Sequence, residues 1–275
     1  MAATSSIATR GHGEIARRIG HSVLLTLISL GVALGLWTVV LKLLNLNPYF
    51  AKGPAQVYSL LFSGPTAAAS RSILFSALLT TLRDAALGFG CGSAAAIVVG
   101  VGVVLRRSVA QTVMPVAIAL RSVPLVAMTP LLTLIFGQGL LTVGLIAGIV
   151  TFFPSLVNIV QGLRSVTPQS FDLFRAYGAK ELTVLRRLQI PYAVPSLFTA
   201  ARIAAPGALL GAILAEWLAT GQGLGYIMVT SSSESQYAML WATIATITVV
   251  SVVIYNTVST AERTVAERFG IGLAR

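Results

Sequence analysis

The polar segment 172–191 interrupts an otherwise apolar chain, and its residue types suit docking to another protein better than catalysis. Phe171, Phe174 and Gly178 recur at helical spacing, so two aromatic side chains and a gap share one helix face. Charged side chains surround that face: Asp172, Arg175, Lys180, Glu181, Arg186 and Arg187. This pattern predicts a short amphipathic helix that fits a groove on a soluble partner.

The boundaries of this helix are also marked in the sequence. Thr167 and Pro168 are suited to the N-cap and the first helical residue. Gly178 is expected to end or bend the helix, and Pro191 is expected to interrupt the segment that follows.

A second group of residues places charge inside long apolar runs: Arg83, Arg121, Arg202 and Glu216. Charge in such a setting is costly and is by default a functional hypothesis. Arg121 or Arg202 could donate paired hydrogen bonds to an anionic oxygen, or could pair with a helix carbonyl or with Glu216. Arg83 adjoins Asp84 and is expected near a helix end, where its side chain would reach the membrane interface.

Catalytic and metal-binding patterns are missing from the sequence. The two histidines, His12 and His21, lie in or beside the polar N-terminal segment, so no metal site is expected. The lysines are Lys42, Lys52 and Lys180, and none belongs to a phosphate-binding loop. We therefore expect no catalytic residues and no cofactor in this chain.

The composition indicates a membrane protein. Of 275 residues, 56% are hydrophobic and only 10% are charged, and the mean hydropathy is +0.86. Soluble domains carry about 25% charged residues. The net charge of +11 reflects membrane topology and not binding to nucleic acid, and the single cysteine excludes an intrachain disulfide.

Apolar runs of membrane-spanning length predict an all-α polytopic bundle of about six transmembrane helices. The charge-free stretch 122–163 is about 63 Å long as one helix, about twice the hydrocarbon core, so it must turn near residues 136–139. The six predicted spans are 22–41, 85–105 (extended backwards towards Ser72), 109–135, 140–162, 193–215 and 236–261.

The basic residues predict the orientation of these spans. With the N-terminus inside, thirteen lysines and arginines lie on the cytoplasmic side, and Lys42, Lys52 and Arg71 lie outside. This orientation gives a cytoplasmic tail at 1–21, a transmembrane domain at 22–262 and a second cytoplasmic tail at 263–275. The docking segment 167–191 then lies in the cytoplasm between the fourth and fifth spans.

The spacing within this segment resembles the cytoplasmic signature of bacterial ABC importer permeases. That signature reads Glu-Ala-Ala, three residues, Gly, nine residues, Ile, one residue, Leu-Pro. The corresponding positions here are Asp172, Gly178, Leu188, Ile190 and Pro191, with Leu173-Phe174 in place of Ala-Ala. A second match, Ala215-Glu216 followed by Gly223-Leu224-Gly225-Tyr226, resembles the nitrate, sulfonate and taurine branch of these permeases.

The resemblance implies a permease subunit of the bacterial inner membrane that imports a small anionic or polar solute, or a vitamin precursor. It implies coupling to ATPase subunits through Phe171, Asp172, Phe174, Gly178, Ala179 and Pro191, and a solute path near Arg121, Arg202 and Glu216. The implied partners are ATPase subunits that hold ATP and Mg²⁺, a second permease copy, an extracytoplasmic solute-binding protein and membrane lipid. Alternatives that the sequence leaves open are an ion-gradient-driven transporter, a membrane-bound enzyme and a membrane scaffold without transport activity.

Overall fold

The computed structural model describes residues 5–268 as a series of helices joined by short connections. The side chains of His12 and His21, and residues 269–275 of the predicted C-terminal tail, lie outside what the structure describes. The helices are α1 (Ser5–Leu43), α2 (Pro54–Tyr58), α3 (Ala67–Leu105), α4 (Arg107–Arg121), α5 (Leu125–Phe136), α6 (Leu140–Leu163), α7 (Pro168–Ala176), α8 (Glu181–Val184), α9 (Ile190–Ala215), α10 (Gly223–Ser233) and α11 (Tyr237–Arg268). Single π-helical turns extend α2 (Ser59–Ser63), join α8 to α9 (Leu185–Gln189) and extend α9 (Glu216–Thr220).

The predicted all-α membrane bundle is confirmed. In the described part of the chain, five helical segments are long and apolar enough to cross a membrane: Val23–Leu43, Ala67–Leu105, Leu140–Leu163, Glu181–Thr220 and Tyr237–Val265. These segments correspond to the first, second, fourth, fifth and sixth predicted spans. The predicted N-terminal tail is largely continuous with the first span, because α1 begins at Ser5.

The third predicted span, 109–135, is not one helix. It is divided into α4 and α5 by a break at residues 122–124. Pro124 has no backbone N–H, and it disfavours helical geometry at the residue before it, so the hydrogen-bond ladder ends there. A turn at this proline therefore replaces the expected continuous helix.

The second span also differs from its prediction. Its helix, α3, begins at Ala67 and has 39 residues, so Arg83 and Asp84 lie near its middle and not near an end. The Asp84 side chain points into the bundle and its residue is only 4% exposed, whereas Arg83 is exposed. The expectation that Arg83 lies near the end of its helix is therefore wrong.

The centre of the bundle is the packing of α3, α6 and α9 through small residues. A Cβ added to Gly88 would overlap Ala147, one added to Gly92 would overlap Thr151, and one added to Gly211 would lie 2.7 Å from the Cα of Ala147. Lipid tails are as apolar as the helices, so close van der Waals contact is what favours helix association in a membrane. The glycines of α3 that face α6 therefore set the distance between these helices.

The outer spans α1 and α11 pack against each other through aromatic side chains. Trp37 of α1 stacks on Trp241 of α11, with ring centroids 5.3 Å apart. The Trp241 Nε1–H donates a 2.8 Å hydrogen bond to the Phe50 carbonyl, which ties the α1–α2 connection to α11.

The glycine packing predicts different effects on stability for alanine substitutions at two nearby glycines of α3. Gly92→Ala introduces a methyl group against Thr151 and should lower the free energy of unfolding by about 1–3 kcal/mol. Gly90→Ala is the matched control, because its added Cβ meets no atom of the described chain within 4 Å. Thermal unfolding of the purified protein in detergent measures both, and equal midpoints would contradict the packing argument.

Candidate functional site

The predicted docking helix is α7, and its aromatic face is turned towards the bundle. It begins at Pro168 with Thr167 as N-cap, as expected. Phe171 and Phe174, together with Ala179, pack against a buried cluster formed by Val166, Val184 and Leu188. The two aromatic side chains therefore anchor α7 to the α6–α7 connection, to α8 and to the π-helical turn that follows α8.

The side of α7 that is open to a partner carries different residues. Leu173 is 56% exposed and Tyr177 is 84% exposed, one helical turn apart. Asp172 and Arg175 are exposed beside them, and the Arg175 guanidinium lies 5.8 Å from the centroid of the Phe171 ring. The sequence did not indicate Leu173 and Tyr177 as the exposed apolar residues, because a short helix that is apolar on two sides gives no sequence sign of which side is buried.

Gly178 ends α7 in the way expected of a C-terminal glycine. Its φ of +69° lies in the left-handed region, where a side chain is strained. The Gly178 N–H donates to the Arg175 carbonyl at 2.9 Å, and the Ala179 N–H donates to the Phe174 carbonyl at 3.0 Å. The chain therefore reverses tightly and leads directly into α8.

Pro191 does not interrupt the following segment, contrary to the expectation from sequence. The helix continues from α8 into α9 through the π-helical turn Leu185–Gln189, which accommodates the missing N–H of the proline. The Gln189 side-chain amide donates a 3.1 Å hydrogen bond to the Leu163 carbonyl at the end of α6. The docking segment is thus continuous with one membrane-spanning helix and hydrogen-bonded to another.

Glu216 lies at the other end of this long helix and forms what we call the carboxylate clasp, consisting of Glu216, Thr81, Leu224 and Gly225. Glu216 is fully buried, and its Oε2 accepts hydrogen bonds from the Thr81 hydroxyl and the Gly225 N–H, both at 2.9 Å. The Leu224 N–H donates to Thr81 Oγ1 at 2.9 Å. The clasp therefore joins α3, the end of α9 and the start of α10.

The glycine-rich segment after Glu216 forms a tight turn that leads into α10. Gly221 and Gly223 have φ values of +65° and +85°. A Cβ on Gly223 would overlap the Glu216 carboxyl group, and a Cβ on Gly225 would overlap the Ile213 carbonyl. Glycine is therefore needed here so that the backbone can enclose the carboxylate.

Arg202 pairs with Glu262 and not with Glu216. Its guanidinium lies 3.0 Å from Glu262 Oε2, and the Thr199 hydroxyl donates a 2.6 Å hydrogen bond to Glu262 Oε1. Glu262 is only 2% exposed. Sequence analysis missed this carboxylate because the sixth predicted span ended at residue 261, one residue before it.

The three residues predicted for a solute path therefore have different surroundings. Glu216 belongs to the carboxylate clasp, and Arg202 belongs to an ion pair between α9 and α11. Arg121 is exposed at the last residue of α4, beside the break at Pro124, and not in the middle of a continuous span.

Sequence and structure comparisons connect this arrangement with known proteins. A family profile described as "Binding-protein-dependent transport system inner membrane component" matches residues 88–268. The chain is 30% identical to the formylaminopyrimidine transport permease of Halalkalibacterium halodurans, over 70% of this chain and 74% of that relative. It is 28% identical to the taurine transport permease of Escherichia coli, over 78% of both chains.

A solved structure shares the fold. A chain of the inward-facing MetNI methionine ABC transporter matches with a TM-score of 0.62 and 18% sequence identity, covering 72% of this chain and 96% of that chain.

The clasp predicts that the Thr81 hydroxyl is worth more than a typical membrane threonine. Thr81→Val leaves the buried Leu224 N–H and Glu216 Oε2 each without one partner and should cost about 1–3 kcal/mol. Thr112→Val is the control, since that exposed hydroxyl only donates to the Ser108 carbonyl within α4. Thermal unfolding in detergent compares the two variants, and a Thr81→Val midpoint equal to that of the control would exclude a structural clasp.

The Arg202–Glu262 pair predicts a rescue between two variants. Arg202→Ala leaves Glu262 buried without its cation and should destabilise the protein by on the order of 3 kcal/mol. Adding Glu262→Gln removes the uncompensated charge and should restore most of that loss. A double-mutant cycle on unfolding midpoints measures the coupling, and strictly additive effects would show that the pair does not contribute to stability.

Proposed function

This chain belongs to the family of binding-protein-dependent transport system inner membrane components, which are ABC importer permeases, and on that premise we propose that it forms the solute path of an ATP-driven importer. It is a multi-pass protein of the bacterial cytoplasmic membrane. In the proposed transport cycle, the solute path opens alternately to the two sides of the membrane. Separate ATPase subunits that hold ATP and Mg²⁺ supply the energy.

The observation that carries the proposal is the construction of α7. A partner that moves at the surface of the bundle can move the membrane spans only if the helix it contacts, α7, is fixed to those spans. Phe171 and Phe174 fix α7 to the bundle, while Leu173 and Tyr177 remain exposed for contact. The Gly178 turn then leads into the continuous helical segment 181–220, which spans the membrane.

The proposed orientation follows the basic residues. The cytoplasmic side holds both termini and α7, and it collects thirteen of the lysines and arginines. The α1–α3 connection and the turn between α10 and α11 then face outward. A solute-binding protein would dock on that outer surface, and lipid would surround the outer helices.

The partners and the solute are proposed from the relatives. Membership of the ABC permease family implies ATPase partners, and we propose a second copy of this chain as the other half of the path. The relatives are named for transport of formylaminopyrimidine and of taurine, a pyrimidine and a sulfonate. We propose a small anionic or polar solute, or a vitamin precursor, and no catalytic activity in this chain.

The second candidate is a transporter driven by an ion gradient. The sequence suggested only Glu216 as a buried acid, but Asp84 and Glu262 are buried as well. Glu216 Oε1 is enclosed without a hydrogen-bond partner among the described residues, which is a place where a proton could bind. Uptake that persists after ATP depletion and stops when an uncoupler collapses the ion gradient would favour this candidate over the importer.

The exposed face of α7 predicts a loss of ATPase binding in one of two matched variants. Tyr177→Glu should reduce the amount of ATPase that co-purifies with this chain by about tenfold or more, because buried aromatic anchors dominate protein interfaces. Tyr58→Glu is the control, since Tyr58 is also exposed, at 61%, but lies on α2 at the proposed outer side.

The measurement is quantitative mass spectrometry of the chain purified by an affinity tag from native membranes. Equal recovery of an ATPase with both variants would refute docking through this face. Failure to recover any ATPase with the unmodified chain would refute the importer itself.

A further inference from the structure

One face of α3 carries a row of polar side chains that the functions above do not use. Ser72, Ser76, Thr80 and Arg83 are spaced by four, four and three residues, which places them on one side of the helix. Ser72, Ser76 and Arg83 are exposed and Thr80 is half-buried. We call these four residues the polar stripe. At the rise of an α-helix it is about 16 Å long.

The stripe borders an open groove with α10. Its first three residues line a cavity of about 460 Å³ together with Gln222 and Tyr226, and Gly223 forms part of the floor. Arg83 is not one of the residues that line this cavity, but it lies about one helical turn beyond Thr80 on the same face of α3. Hydroxyl and amide groups thus line the groove, and the guanidinium lies next to it along the helix.

The polar and charged side chains of the stripe are unfavourable in contact with lipid tails. The neighbouring face of α3 carries Phe75, which is 62% exposed and suits contact with lipid tails. An arginine near the middle of a membrane-spanning helix is expensive in hydrocarbon, and such residues face a bundle interior or a water-filled cavity. The stripe therefore requires water or a polar partner in front of it.

The charge of the stripe indicates what it would bind. Asp84 and Glu216 are buried behind the stripe, on the side that packs into the bundle, so Arg83 is the charged side chain that the stripe itself presents. Guanidinium donates paired hydrogen bonds to carboxylate, sulfonate or phosphate oxygens, and the Ser72 and Ser76 hydroxyls and the Gln222 amide can donate further ones. The Thr80 hydroxyl donates to the Ser76 carbonyl at 3.2 Å within α3. A small anion is the ligand that these donors fit.

We infer that the polar stripe, with Gln222 and Tyr226, lines the outer half of the solute path and that Arg83 receives the anionic group of the solute. This inference rests on the proposed import function and names a site within it. Arg83 therefore replaces Arg121 and Arg202 as the cation proposed to contact the solute, because Arg202 is paired with Glu262 and Arg121 lies beside a helix break.

Cysteine accessibility tests whether water reaches the stripe. Cys91 is the only native cysteine, so Cys91→Ala gives a clean background. Ser76→Cys and Thr80→Cys are each labelled in intact cells with a charged, membrane-impermeant methanethiosulfonate. Phe75→Cys is the control at the same depth. A thiol in hydrocarbon stays protonated and unreactive, so both stripe cysteines should react at least about tenfold faster than the control.

Charge selectivity tests the role of Arg83. The probes are the anionic ethylsulfonate and the cationic ethyltrimethylammonium methanethiosulfonates. At Thr80→Cys, the ratio of anionic to cationic labelling rates should fall by about tenfold when Arg83→Gln is added, because the Arg83 charge attracts the anionic reagent and repels the cationic one. Arg83→Lys should keep the ratio, and Arg71→Gln, an arginine off the stripe, should leave it unchanged.

A comparison of labelling preference at two positions of the stripe keeps the test decisive if the Arg83→Gln variant fails to insert into the membrane. With Arg83 intact, the preference for the anionic reagent should be larger at Thr80→Cys than at Ser72→Cys, which lies about three turns from Arg83. Unreactive stripe cysteines would show that another helix covers the stripe and would overturn the inference. Equal ratios at both positions, or no change with Arg83→Gln, would overturn the anion assignment. Recovery of an ATPase from the same membranes separates either failure from failure of the importer proposal.

Discussion

The rest of the bundle depends on the close contact between α3, α6 and α9. Within a membrane, burying an apolar side chain between helices gains little over leaving it in lipid, so packing has to be dense to hold helices together. Gly88, Gly92 and Gly211 remove the side chains that would keep the backbones apart, and the Thr151 hydroxyl donates a 3.1 Å hydrogen bond to the Gly88 carbonyl across the gap. The helices that pack around this centre contact it through larger side chains.

The polar groups of the bundle are arranged around this centre according to their partners. The carboxylate clasp joins α3 to the end of α9, and the Arg202–Glu262 pair joins α9 to α11. Each of these contacts holds a buried carboxylate that would be unfavourable without its donors. The polar stripe is the exception, because its side chains face away from the centre and find few partners on their own helix.

The helical segment 181–220 connects the region of α7 to the carboxylate clasp. It starts after the turn that follows α7 and contains Glu216 near its other end, so one continuous helical element runs between the predicted docking helix and the clasp. The two π-helical turns at its ends adjust the helix to a proline and to the carboxylate turn without breaking it. In the proposed transport cycle, this continuity provides a mechanical connection between ATPase docking and the outer side of the path.

The sequence by itself determined the membrane class, five of the spans and the start and end of the docking helix. These follow from local properties: runs of apolar residues, Pro168 at a helix start and a glycine at a helix end. The position of Arg83 within its helix was decided by the length of α3, and the continuity through Pro191 was decided by a π-helical turn. The break at Pro124 comes from the missing N–H of that proline, and hydropathy records none of these features.

Only the tertiary structure decided which polar and charged side chains contact each other and which helix faces stay exposed. Arg202 pairs with Glu262, 60 residues away in sequence, and Glu216 pairs with Thr81, 135 residues away. Such partners depend on how helices are rotated against one another. The inward direction of Phe171 and Phe174 has the same origin, because both faces of α7 are apolar enough to be buried, and the end of α8 covers only one of them.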